Sequence, residues 1–156
     1  MSNIYFPNEQ ITFNDLYFVC YMIERTARKL KQSNLYVAQT MGKAALERQL
    51  SIAETNHCLN PDQVTSDWIA EYSLAPGTFD ISNVSPNLTD KVPTALQMGK
   101  VYARLANSIT PPDGNMADSL LSMYASPICE YIDNYNTGAY YEPSYIQTRA
   151  YYNGCF

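Results

Sequence analysis

His57, the only histidine, stands beside Cys58, with Asp62 four residues beyond the cysteine. An imidazole and a thiolate would make an acyl-transfer pair. Neighbouring side chains on one helix diverge by about 100°, however, so the spacing opposes that chemistry. It favours a histidine at a helix end, bonded to terminal carbonyls. Cys20, Cys58, Cys129 and Cys155 form no C-x-x-C pair and share the chain with a single histidine, a pattern that argues against a zinc site. They read as reduced, mostly buried thiols. No phosphate-binding glycine loop, paired-carboxylate motif or G-x-S-x-G elbow occurs. No catalytic residue, metal or cofactor is expected.

Charge supplies the next candidates. Arg25, Arg28, Lys29, Lys31, Lys43 and Arg48 hold six of the ten basic residues, opposed between positions 25 and 48 only by Glu47, although the whole chain carries −5. Such a cluster would contact phosphates, and Arg25, Arg28, Lys29, Lys43 and Arg48 are the candidate nucleic-acid-binding residues. The stretch NLYVAQTMGKAALERQLS also has the Ala38 to Gly42 spacing of a helix-turn-helix. Arg48 and Ser51 nonetheless fall where the second helix of that motif needs apolar anchors. Glu24 near Arg25 and Arg28, and Glu47 beside Arg48, read as surface pairs contributing about a few tenths of a kcal/mol each.

Seven of the 14 tyrosines lie between positions 126 and 156, interleaved with Asn134, Asn136, Arg149 and Asn153. Tyrosine joins an apolar ring to a hydroxyl that needs a partner, which suits half-buried seams and interfaces. Two readings follow: the rings lace the last helices onto the core, or some of them form a recognition surface. On the second reading the protein-binding residues are Tyr135, Tyr140, Tyr141, Tyr145, Arg149 and Tyr152. The partner is another protein, and a homodimer of this chain fits the same pattern.

Helices must position all of these groups. After an extended N-terminal arm closed by Pro7, Asn14 or Asp15 caps a helix whose apolar residues Leu16, Val19, Cys20, Ile23, Ala27 and Leu30 recur at threes and fours. Arg25, Arg28, Lys29 and Gln32 fall on the other face and give it a basic exterior. Helices over 34–41 and 43–56 follow, hinged at Gly42, with Leu46, Leu50 and Ala53 inward. Asn60-Pro61 opens another, carrying Val64, Trp68 and Ile69 inward. The stretch 75–93 is rich in Pro, Ser, Asn and Asp and reads as a long connection, with an extended piece at 78–81. A helix over 94–109 turns Leu96, Val101, Leu105 and Ile109 to one stripe. The next, 116–131, is broken at Ser126-Pro127, and a last short helix begins near Pro143.

The expectation is an all-α bundle of about six to seven helices in a single domain over 1–156, with sub-parts 1–74 and 94–156 joined by the connection. MGKAALERQLSI at 41–52 echoes MGKVYARLANSI at 98–109 in five of twelve positions, which shared helix-start chemistry accounts for without a duplication. The amino terminus lacks a basic n-region followed by an apolar run, and the longest apolar run, 16–23, is too short for a membrane span. The protein is expected in the cytoplasm, away from membranes.

YFVCYMIERTARKL, NHCLNPDQVTSDWI and IDNYNTGAYYEPSYIQTRAYY resemble small uncharacterised proteins of gut Firmicutes, some encoded near ADP-ribosyltransferase-like, toxin-type proteins. The resemblance implies a bacterial, toxin or defence context and no catalytic motif. The reading that results is a non-enzymatic, protein-binding accessory factor, antitoxin-like or defence-related; the alternative is a nucleic-acid-binding regulator using the 25–48 segment. A third possibility, an enzyme with a pocket built from dispersed Tyr, Arg and His57, requires one buried polar cluster that nothing in the sequence locates.

Overall fold

The computed structural model describes residues 3–156, so Met1 and Ser2, the start of the expected arm, lie outside it. The rest of the arm is turned and bent, because the Asn3 carboxamide oxygen accepts from the Tyr5 and Phe6 amides at 3.0 and 2.9 Å.

Helix α1, Phe13–Leu30, starts at Thr12. The Thr12 hydroxyl accepts from the Asp15 amide and the Asp15 carboxylate accepts from the Thr12 amide, so Asp15 completes a capping box and is not itself the cap. The expected inward residues of α1 are buried, but so are Met22, Glu24 and Thr26. The anticipated basic exterior is therefore absent: Lys29 is exposed while Arg25 and Arg28 are half-buried. The cause is packing, since α4 lies along α1 on one side and α2 and α3 cover others.

Helix α2, Asn34–Asn56, is capped by Ser33 and is divided at Gly42, whose non-helical φ of +84° separates the two helical pieces expected there. Helix α3, Pro61–Glu71, has the Asn60 cap and N-terminal proline read from the sequence. Helix α4, Ala95–Ile109, opens on a Thr94/Gln97 capping box. Its inward face is Met98, Gly99, Tyr102, Ala103, Leu105, Ala106 and Ile109, while Leu96 points outward. Pro127 separates α5, Met116–Ala125, from α6, Ile128–Ile132. A 3-10 turn at Ala139–Tyr141 leads to α7, Ser144–Asn153, which ends on left-handed Gly154.

The chain is thus an all-α bundle, with seven α-helices among the described residues. Besides α1 on α4, α2 packs on α5, and α4 also meets α5 and α7, so residues from both sides of the connection join one core. The Met-Gly-Lys echo has no structural counterpart: Gly42 sits at a kink, Gly99 inside a regular helix.

The connection holds no extended strand at 78–81. Instead the Gly77 and Phe79 amides donate to the Leu30 and Lys31 carbonyls at 2.7 and 2.8 Å, partnering acceptors that the end of α1 leaves free. The Ala75 amide donates to the Tyr36 hydroxyl at 2.8 Å, and the Ser85 amide to the Asn136 side-chain oxygen at 2.6 Å. No helix among the described residues is long and apolar enough to cross a membrane.

Candidate functional site

One buried polar cluster lies where α1, the start of α2, α4 and the segment after α6 meet. Glu24, read from the sequence as a surface pairing, is 1% exposed. One of its oxygens accepts from the Tyr135 hydroxyl at 3.3 Å and faces the Arg28 guanidinium at 3.8 Å; the other has no partner. Arg28 also donates to the Tyr135 hydroxyl at 3.0 Å. Next to this group the Tyr102 hydroxyl donates to Asp133, whose second oxygen receives a long 3.4 Å contact from the Asn34 amide. Burial pushes both carboxyls above their ordinary values. The second largest influence on Asp133 is the charge of Glu24, as expected for two like charges close together in a poorly solvated place. Burial likewise raises Tyr102 and Tyr124 well above the usual phenol value and pushes the Cys20 thiol up to about 12.

Asp133 is also part of the wall of a cavity of about 610 Å³, within the size range of small-molecule sites. The connection supplies Phe79, Ile81 and Val84 to one side. The α1–α2 junction supplies Asn34 and Leu35, and the α5–α6 region supplies Tyr124 and Glu130. Asn34 is 3% exposed and its carboxamide oxygen has no partner. The lining carries the carboxyls of Asp80, Glu130 and Asp133 and, among the described residues, no Lys, Arg or His.

The residues singled out from sequence are distributed differently. Tyr135 is 2% exposed and belongs to the buried cluster, which removes it from any contact surface. Tyr140 is half-buried with its ring 5.3 Å from that of Tyr135. Tyr145, Arg149 and Tyr152 are exposed, and their i, i+4, i+7 spacing puts them on one stripe of α7; Tyr141 is exposed just before it. The basic segment is largely neutralised. Arg25 meets Asp62, Arg28 meets Glu24, Lys31 meets Asp80, Lys43 meets Asp118 and Arg48 meets Glu71, all within 4.0 Å. All five of those acids lie outside positions 25–48, so the one-sided charge of the segment in sequence does not persist in the fold.

His57 and Cys58 lie at and beyond the end of α2, so the helical divergence between neighbours does not apply to them, and the Cys58 sulfur comes within 3.9 Å of His57 Nδ1. That nitrogen is 2.5 Å from the Glu54 carbonyl oxygen. It must carry its proton to make this bond, and so offers the thiol no base. Of the cysteines Cys20 and Cys129 are buried and Cys58 and Cys155 exposed, so burial covers half of them. No group of three or more His, Cys, Asp or Glu able to hold a metal occurs among the described residues.

Sequence reasoning did not find Glu24, Asn34, Tyr102 and Asp133 as a set, because they are spread over more than a hundred positions. Glu24 alone carried a usable signal: it follows Ile23 and precedes Ala27 on a stripe that is otherwise apolar. No family model, curated protein or solved structure matches the chain.

Proposed function

We propose that the chain is a small-molecule-binding protein whose site is the cavity between the connection and α6. The observation that carries this reading is the cavity itself, whose lining sets the Asn34 side chain and the Asp133 carboxyl against an apolar wall. The apolar wall of Phe79, Ile81 and Val84 would hold a ligand body while the polar floor orients it.

The check is a backbone-amide NMR titration of the full chain with phenethylamine, phenethyl alcohol and 3-phenylpropionate. At least one probe should give saturable shifts concentrated at 33–35, 79–84 and 124–136. Asn83→Trp, at an exposed lining position, should abolish them without loss of helicity. Shifts that scatter over the surface, or that persist in the Trp variant, overturn the reading.

A second reading has its own observation. The stripe Tyr145, Arg149 and Tyr152 presents two large rings and a guanidinium to solvent, the residue types that dominate protein contacts. It supports the protein-binding accessory factor, with a partner of toxin or defence type on the strength of the resemblance. A triple Ala variant at these positions should keep its stability within about 0.5 kcal/mol, because the side chains are exposed. It should lose a protein that the intact chain retains from its source cell, and equal retention by both would refute this reading.

A further inference from the structure

Resting on the cavity reading, we propose that the ligand is an organic ammonium: a primary amine, charged, on an apolar body. The argument is one of charge inventory. The buried cluster holds two carboxyls, Glu24 and Asp133, and one guanidinium, Arg28, which lies with Glu24. Asp133 accepts from the neutral donors Tyr102 and Asn34 and shares the charge of Arg28 with Glu24, two carboxyls to one guanidinium. Asp133 is half-buried, and burial together with the charge of Glu24 raises its carboxyl, so a further cation beside it would be favoured. The other groups packed around it, Tyr124, Cys129 and Tyr135, are neutral at physiological pH because burial raises all three.

The cavity opens onto that carboxyl; its other carboxyls are Glu130 and Asp80, the latter paired with Lys31 at 3.3 Å, and the lining holds no Lys, Arg or His among the described residues. An anion would be repelled, and a divalent metal would find no set of three ligating side chains among the described residues. An ammonium fits the donor count, since it brings three N–H groups and no acceptor. The Asp133 carboxyl, on the wall of the cavity, can take at least one of them. The aromatic rings of Tyr124, Tyr135 and Phe79 give the cation and its hydrocarbon body further contact. A cation beside Asp133 favours its charged form, so binding is linked to proton release over the pH range in which the free carboxyl titrates.

The test is calorimetric titration of the full chain with phenethylamine, phenethyl alcohol and 3-phenylpropionate, three probes of one shape and different charge. The amine should bind at least about tenfold tighter than the alcohol, the ratio that one charge-assisted hydrogen bond supplies. The carboxylate should not bind. Repetition in buffers of different ionisation enthalpy should show proton release with the amine alone. Asp133→Asn, which keeps an acceptor for Tyr102, should bring the amine down to the alcohol's affinity. If that variant does not fold, the comparison of amine with alcohol on the intact chain decides. Equal binding of all three probes in the cavity overturns the ammonium assignment and leaves the cavity reading standing. Absence of binding by any of them overturns both. Amine binding that Asp133→Asn leaves unchanged places the charge contact elsewhere and overturns the assignment.

Discussion

Arg28→Met should destabilise the folded chain by about 3–5 kcal/mol at neutral pH, because it leaves the Glu24 carboxyl buried without its counter-charge. Glu24 is 1% exposed and Arg28 has a side-chain exposure of 23%, so water screens the pair only slightly. Urea denaturation measures the loss. Glu24→Gln in the same chain should recover most of it, since a neutral carboxamide still accepts from Tyr135 and no longer needs the guanidinium. A loss below about 1 kcal/mol would mean that Glu24 is held as the neutral acid and that Arg28 is dispensable to it.

The loss should also depend on pH, with a definite sign. Burial raises the Glu24 and Asp133 carboxyls above 4.5 and 3.8, so the folded chain binds their protons more tightly than the unfolded chain does. Their contribution to stability is complete below those ordinary values and fades as pH rises through the window up to the raised ones. Arg28 lowers both, so without it the window extends upward. The deficit of the variant should be smallest near pH 4 and largest at neutrality.

Gly99→Ala should cost about 1–3 kcal/mol, the range for forcing an extra methyl into a filled core. A methyl there would come within 2.8 Å of the Tyr21 Cα and 2.9 Å of its amide nitrogen. Backbone cannot swing aside as a long side chain does, so α1 and α4 must separate along the most extensive helix contact of the fold. Gly42→Ala is the informative comparison. That position has open space around it but a φ of +84°, and its cost, about 1–2 kcal/mol, is one of conformation alone. Adding a larger side chain, as in Gly99→Leu and Gly42→Leu, should separate the two causes: the penalty grows steeply at position 99 and hardly at 42. Equal growth at both would show that the α1–α4 contact is not tight.

These two glycines show how far the sequence could be read. Both stand in the triplet Met-Gly-Lys, and the kink at Gly42 was legible because glycine permits the positive φ of a turn. That Gly99 serves close packing was not, since the surface it touches lies 78 positions away. The same division runs through the whole molecule. Helix starts are written locally, in Ser33, Asn60-Pro61 and Thr94, so the bundle was readable nearly element by element. The start of α1 was misplaced by a few residues because Thr12, Asn14 and Asp15 are all good caps, and only the reciprocal bond of Asp15 selects Thr12. Burial of charge is a property of the assembly. Glu24 has two basic neighbours within four positions and looks like a surface residue until α4 and the segment after α6 close over it. The basic segment misled for the same reason, as most of its counter-charges arrive from other elements.

The wall of the cavity is fastened in a way that bears on descent. Phe79, Ile81 and Val84 face the cavity from a stretch held to the end of α1 largely by main-chain amides, at Gly77 and Phe79. Such bonds are indifferent to the side chains that the stretch carries. If the cavity is the ligand site proposed above, those three side chains could be exchanged, and the ligand with them, while the attachment persists.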